Sequence, residues 1–153
     1  MACMNDNRGF SLLELLIVVA IILIIATIAI PNLVRSHQAA DEAAAVSTLR
    51  AINTAEVTYL SSAVGNYGTL GDLVAAGLLD SRFSGASVSG YSFAVTASGS
   101  NYTAAAMPTS ANSGRYAYFS LPDAVIRYST ATSGCGSTGG TCFPSGMSGQ
   151  PVQ

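Results

Sequence analysis

The sequence has no lysine, no tryptophan and a single histidine, His37, and only 9% of its 153 residues are charged. Each shortage removes a class of function. Without lysine there is no P-loop lysine, no Schiff base and no Ser–Lys pair. With one histidine, on an element far from most of the hydroxyls, no Ser–His–acid set can be assembled. The six basic residues are all arginine, scattered from Arg8 to Arg127, and the formal net charge is −2, so no basic patch for nucleic acid is visible. Acids are sparse as well. Beyond Asp80 the only one is Asp123, far short of the ~6–8 oxygen ligands that a calcium site takes. No catalytic residue, cofactor site or metal site is expected.

Two motifs need a physical check. "GCGSTG", Gly134 to Gly139, matches G-x-G-x-x-G literally. No helix is expected to open after it and no βαβ unit surrounds it, so it does not read as a nucleotide loop. His37 stands beside Arg35 among solvated residues and reads as a surface side chain. Asn101-Tyr102-Thr103 is a glycosylation sequon at the start of an expected strand, a weak signal by itself. Three cysteines are present: Cys3, Cys135 and Cys142. The last two have no histidine or acid near them, so they make a poor zinc site. A disulfide closing a small loop in an oxidising compartment is the expected state.

What the sequence does have is an apolar run, "GFSLLELLIVVAIILIIATIAIP". From Phe10 to Ile30 every residue is apolar or small and hydroxylic except Glu14. A helix of about 21 residues there matches the ~20 needed to cross a bilayer. A carboxylate inside such a run costs about 2.5–3.5 kcal/mol on insertion scales, so it needs a partner. Pro31 is the only breaker before an Ala-rich helical stretch, so the spacing predicts one kinked helix from about Phe10 to about Ser61. In its second half Ala43, Val46, Leu49, Ile52, Tyr59 and Leu60 recur at helical spacing. Asp41, Glu42, Arg50 and Glu56 are expected mostly elsewhere around the helix.

A short helix is expected from about Leu70 to Leu79, capped by Thr69. The period then changes to two. "YSFAVTA" places Tyr91, Phe93, Val95 and Ala97 on one face, and "YTAAAMP" continues with Tyr102, Ala104 and Ala106 in phase. "RYAYFSL" and "AVIRYS" predict two more strands joined across Pro122 and Asp123. The expected fold class is α+β: a long N-terminal helix packed on a four-stranded antiparallel sheet.

This arrangement resembles the type IV pilins and the related pseudopilins of type II secretion. The residues that carry the resemblance are those of the apolar run. Gly9 before Phe10 is similar to the prepilin peptidase site. The resemblance implies cleavage after Gly9 and methylation of the new Phe10 amine. It also implies an assembly role for Glu14, which can meet the Phe10 amine of a neighbouring subunit, and a helix-kinking role for Pro31. A C-terminal disulfide between Cys135 and Cys142 agrees with the family pattern, and loss of the leader removes Cys3.

The implied organisation is a leader at 1–9, a membrane and filament-core segment at 10–35, and an extracytoplasmic domain at 36–153. The implied function is a structural, non-enzymatic subunit that polymerises into a helical surface filament for adhesion, twitching motility or DNA uptake. Its partners would be other copies of itself, the prepilin peptidase, the inner-membrane assembly machinery and the membrane. The subunit would wait in the bacterial inner membrane and end in an extracellular pilus. Two rivals remain: a type II secretion pseudopilin, disfavoured by the few acids and the cysteine pair, and a membrane-anchored binding domain that never polymerises.

Overall fold

The computed structural model describes residues 10–85, 87–130 and 150–152. Two compact units divide the chain, Met1–Ser36 and His37–Gln153. Helix α1 (Leu12–Ser62) supplies the described part of the first and the opening element of the second. Its hydrogen-bonded pattern continues through Pro31, as expected, although the proline has no N–H to offer Thr27.

In the second unit α1 buries Glu42, Ala45, Leu49, Ile52, Asn53, Ala55 and Glu56. Leu49 and Ile52 are fully buried, and Val46 and Tyr59 pack on the core, as the spacing predicts. Ala43 is exposed instead. The larger correction concerns charge: Glu42 and Glu56 lie inside, not on the solvent side. The steps from 42 to 45, 49, 52 and 56 are three, four, three and four, so both acids fall on the stripe that faces the sheet. Each carboxylate accepts a backbone N–H that the core would otherwise leave unpaired, from Arg115 and Gly68 respectively.

Helix α2 (Leu70–Ala75) begins in a full capping box, with Thr69 and Asp72 each satisfying the other's backbone N–H. It is shorter than expected. Gly77 takes φ +70, and Leu78 N–H donates back to Leu73 O at 3.0 Å, which closes the helix. A 3₁₀ turn (Ser81–Ser84) follows.

The sheet runs β1 (Tyr91–Ser98), β2 (Asn101–Pro108), β3 (Tyr116–Ser120), β4 (Ile126–Thr130) and β5 (Gln150–Pro151), adjacent in chain order and antiparallel throughout. The four expected strands are present and in the expected phase. Phe93 opposes Ala106, Val95 opposes Ala104 and Ala97 opposes Tyr102. All six belong to, or pack on, the core shared with α1. The β1–β2 hairpin turns at Gly99, whose φ of +58 suits the tight turn that strand twist prefers. The fifth strand is new. Pro151 pairs with Arg127, and Val152 N–H donates to Ile126 O at 2.9 Å, so the C-terminal end returns to the sheet edge.

Polar groups lock helix to sheet. Asn53 Nδ2 donates to Ser120 Oγ at 2.8 Å, and Asn53 Oδ1 accepts the Tyr102 hydroxyl at 3.0 Å. Burial first, then the nearby Glu56 and Tyr67, push the Tyr102 hydroxyl up to about 12, so it stays a donor at neutral pH. Closer to the start of the unit, Gln38 Nε2 donates to Ala111 O at 2.8 Å and fastens the β2–β3 loop to α1.

Candidate functional site: the N-terminal apolar helix

Two features of the sequence build this segment. A continuous apolar stretch gives a helix that needs no polar face. Its side chains have nowhere to bury within the described chain: Leu12, Leu16, Ile22, Ile25, Ile28 and Leu33 are all exposed. In an isolated subunit in water this would be a large hydrophobic liability. The helix is long and apolar enough to cross a membrane. A bilayer, or a bundle of like helices, satisfies the same surface.

Phe10 lies just before α1 and is 77% exposed. Glu14 sits in the first turn of α1, four residues on, and is exposed too. No hydrogen bond or ion pair joins Glu14 to another described residue. Ser11 and Glu14 have the S-x-x-E spacing of a capping box, but no hydrogen bond between them closes one. A carboxylate in the first helical turn also meets the positive end of the helix dipole, worth about 0.3–1 kcal/mol. That local role escaped the reading of the sequence, although the spacing signals it. It is too small to offset the cost of placing the charge in hydrocarbon. Pro31 lies inside α1 and is exposed. The proline leaves the Thr27 carbonyl without its helical donor, and the Thr27 hydroxyl donates in turn to Ile24 O at 2.7 Å. Gly9, Cys3, Cys135 and Cys142 lie outside the described residues.

Residues 4–30 match the model of the prokaryotic N-terminal methylation motif. The chain carries a prepilin-type N-terminus. Over 55 residues it is 47% identical to the type IV major pilin protein PilA of Myxococcus xanthus (strain DK1622), covering 36% of this chain and 25% of that protein. Over 55 residues it is 38% identical to the type II secretion system core protein G of Escherichia coli (strain K12), covering 36% of this chain and 38% of that one. The similarity thus spans a quarter to two-fifths of those relatives. No solved structure matches. The family model matches residues 4–30, and the similarity to each relative is confined to 55 residues.

Elsewhere among the described residues no three His, Cys, Asp or Glu side chains come together in a way that could hold a metal. The ionic contacts in the second unit are structural. Asp123 receives both guanidinium nitrogens of Arg127, at 3.2 and 2.6 Å, and the Val125 N–H at 3.0 Å. The Arg127 hydrogen bonds hold its carboxyl below the usual range. They pin the turn between β3 and β4, where Ala124 takes φ +57.

Proposed function

We propose that this chain is a structural subunit of a type IV pilus, synthesised with a leader that is cut after Gly9. One observation carries the reading. A helix with no internal partner for its apolar surface bears a lone carboxylate four residues beyond the cleavage site, inside the methylation motif. Cleavage frees the Phe10 amine, which methylation leaves positively charged. In a bundle of such helices the Glu14 carboxylate of one copy meets the Phe10 amine of the next. Each charge then offsets the other's desolvation, and the pair sets the axial register, as a lone buried polar residue does in a coiled coil. The apolar surface that lipid covers before assembly is covered by neighbouring helices afterwards. The sheet domains stay outside, with Cys135 and Cys142 joined in a disulfide.

The pseudopilin reading rests on the similarity to core protein G over 55 residues. The two readings differ in where the polymer ends. A pilus subunit builds filaments that shear from cells at native expression, whereas a pseudopilin stays within the envelope. Negative-stain images of the sheared fraction, labelled with antibody to the sheet domain, are expected to show decorated filaments. Subunit confined to the envelope, with loss of exported protein when the gene is deleted, would establish the pseudopilin instead.

A further inference from the structure

The stripe of α1 that faces the sheet ends in an acid on each side, and the two are treated differently. Glu42 accepts the Arg115 N–H at 2.8 Å, and the Arg115 Nε lies 3.5 Å from the same oxygen. Its charge has a cation. Glu56 has none. It is 0% exposed, and among the described residues no cation lies within ion-pair distance of it. Glu56 Oε2 accepts the Gly68 N–H at 3.1 Å. Glu56 Oε1 is buried with no partner among the described residues.

An ionised carboxylate in that position is held by one neutral donor. Isolated buried charges of this kind neutralise rather than persist. Burial pushes the Glu56 carboxyl above its ordinary 4.5, the Gly68 hydrogen bond opposes this, and the negative charge of Asp72 adds to it. The other titratable groups around it are also acids: Tyr102 on β2, Tyr67, whose ring is tilted against that of Tyr102 at 4.6 Å, and Tyr59 on α1, whose ring lies beside Gly68. None can supply a positive charge. A protonated carboxyl keeps its carbonyl oxygen for Gly68 and leaves no charge in the core.

The contact with Gly68 closes the chain between α1 and α2, residues 63–69. Val64 and Gly65 reverse the chain there with φ +54 and +83. Apart from the helix ends, its backbone is held by Asn66 N–H on Ala63 O at 3.2 Å, by Tyr67 N–H on Gly99 O at 3.0 Å and by Gly68 N–H on Glu56 Oε2 at 3.1 Å. Gly68 is itself wedged against Tyr59, since a Cβ there would stand 2.9 Å from the ring.

We propose that Glu56 is a proton-operated latch on the α1–α2 connection: protonation favours the closed contact, and ionisation, which burial without a cation penalises more than the single Gly68 N–H repays, favours its release. The direction follows from the sign of the shift. The folded pKa lies above the unfolded one, so this stabilisation is complete below about pH 4.5. It is lost as pH rises through the folded value. Each unit by which the pKa is raised corresponds to about a tenfold bias toward the closed form.

The test uses the full chain in detergent micelles with its glutamate carboxyls ¹³C-labelled. Glu56 is expected to titrate above the ordinary glutamate value, and the Gly68 amide to exchange more steeply with pH than hydroxide catalysis alone dictates. Glu56→Gln keeps the shape and removes the titration. It is expected to unfold at a higher temperature than the wild type at about pH 8 and at no higher temperature at about pH 4. A Glu56 that titrates at its ordinary value would overturn the proposal. So would a Gly68 amide that follows hydroxide catalysis alone. Both readings come from the wild type, so they hold whether or not the variant folds.

Discussion

Glu14→Ala is expected to leave the subunit in the membrane and abolish its filament. Removing the carboxylate takes a costly charge out of the apolar run, so insertion proceeds at least as well, with a relief of about 2.5–3.5 kcal/mol on insertion scales. Losing the favourable position at the helix N-terminus costs about 0.3–1 kcal/mol, which does not reverse that gain. Cleavage persists, because Gly9 and Phe10 are untouched. Assembly does not. An incoming subunit would leave its Phe10 amine buried and unpaired. Breaking one side of a buried pair costs about 3–5 kcal/mol, enough to weaken subunit addition roughly a hundredfold to several thousandfold. Glu14→Asp keeps the charge and shortens the reach, so a partial defect is expected. The measurement compares membrane-fraction subunit with sheared filament for each variant. Abundant Glu14→Ala filaments at wild-type subunit levels would remove Glu14 from the assembly mechanism.

The second large effect is expected in the sheet domain. Gly114 precedes β3 and leaves room for the ring and hydroxyl of Tyr91, which is fully buried. That hydroxyl donates to Tyr116 O at 2.9 Å. A Cβ at Gly114 would collide with the Tyr91 hydroxyl and press on its ring. Gly114→Ala must therefore displace a core side chain, and overpacking of this kind costs about 1–3 kcal/mol. Losing the buried hydrogen bond adds about 1–3 kcal/mol. The sum is a sizeable share of the ~5–15 kcal/mol that keeps a domain folded. Chemical denaturation of the full chain in micelles measures it. Adding Tyr91→Phe to Gly114→Ala should restore part of the loss by removing the colliding oxygen. A Gly114→Ala chain as stable as wild type would contradict the packing described here.

The fold was largely legible because its two periods are clean. The change from a helical repeat to alternation at Tyr91 marks where the sheet starts, and Gly99 marks the first hairpin. Pro31 left α1 intact because a single missing hydrogen bond does not end a helix of 51 residues. The charge of Glu42 and Glu56 argues for the solvent side, but their position on the helix decides. Their spacing from Leu49 and Ile52 puts them on the core face, and only the backbone donors of distant loops explain why an acid is tolerated there. Those donors belong to Gly68 and Arg115, and nothing local in the sequence links them to α1. The short β5 was missed for a similar reason. Two residues carry no periodicity, and their pairing with β4 is a long-range contact. The N-terminal segment was the most legible part, since its chemistry is written in consecutive residues. In the proposed filament its partner is another copy of itself; in the single chain Phe10 and Glu14 are exposed.

The central claim is that Phe10 becomes the positively charged terminus that Glu14 receives. Mass spectrometry of the subunit recovered from sheared surface filaments tests it most directly. The account predicts a chain that begins at Phe10, carries one methyl group on its amine and has Cys135 and Cys142 oxidised. A filament subunit that begins at Met1, or one cut within the apolar run at Ala26 or Ala29, would contradict it.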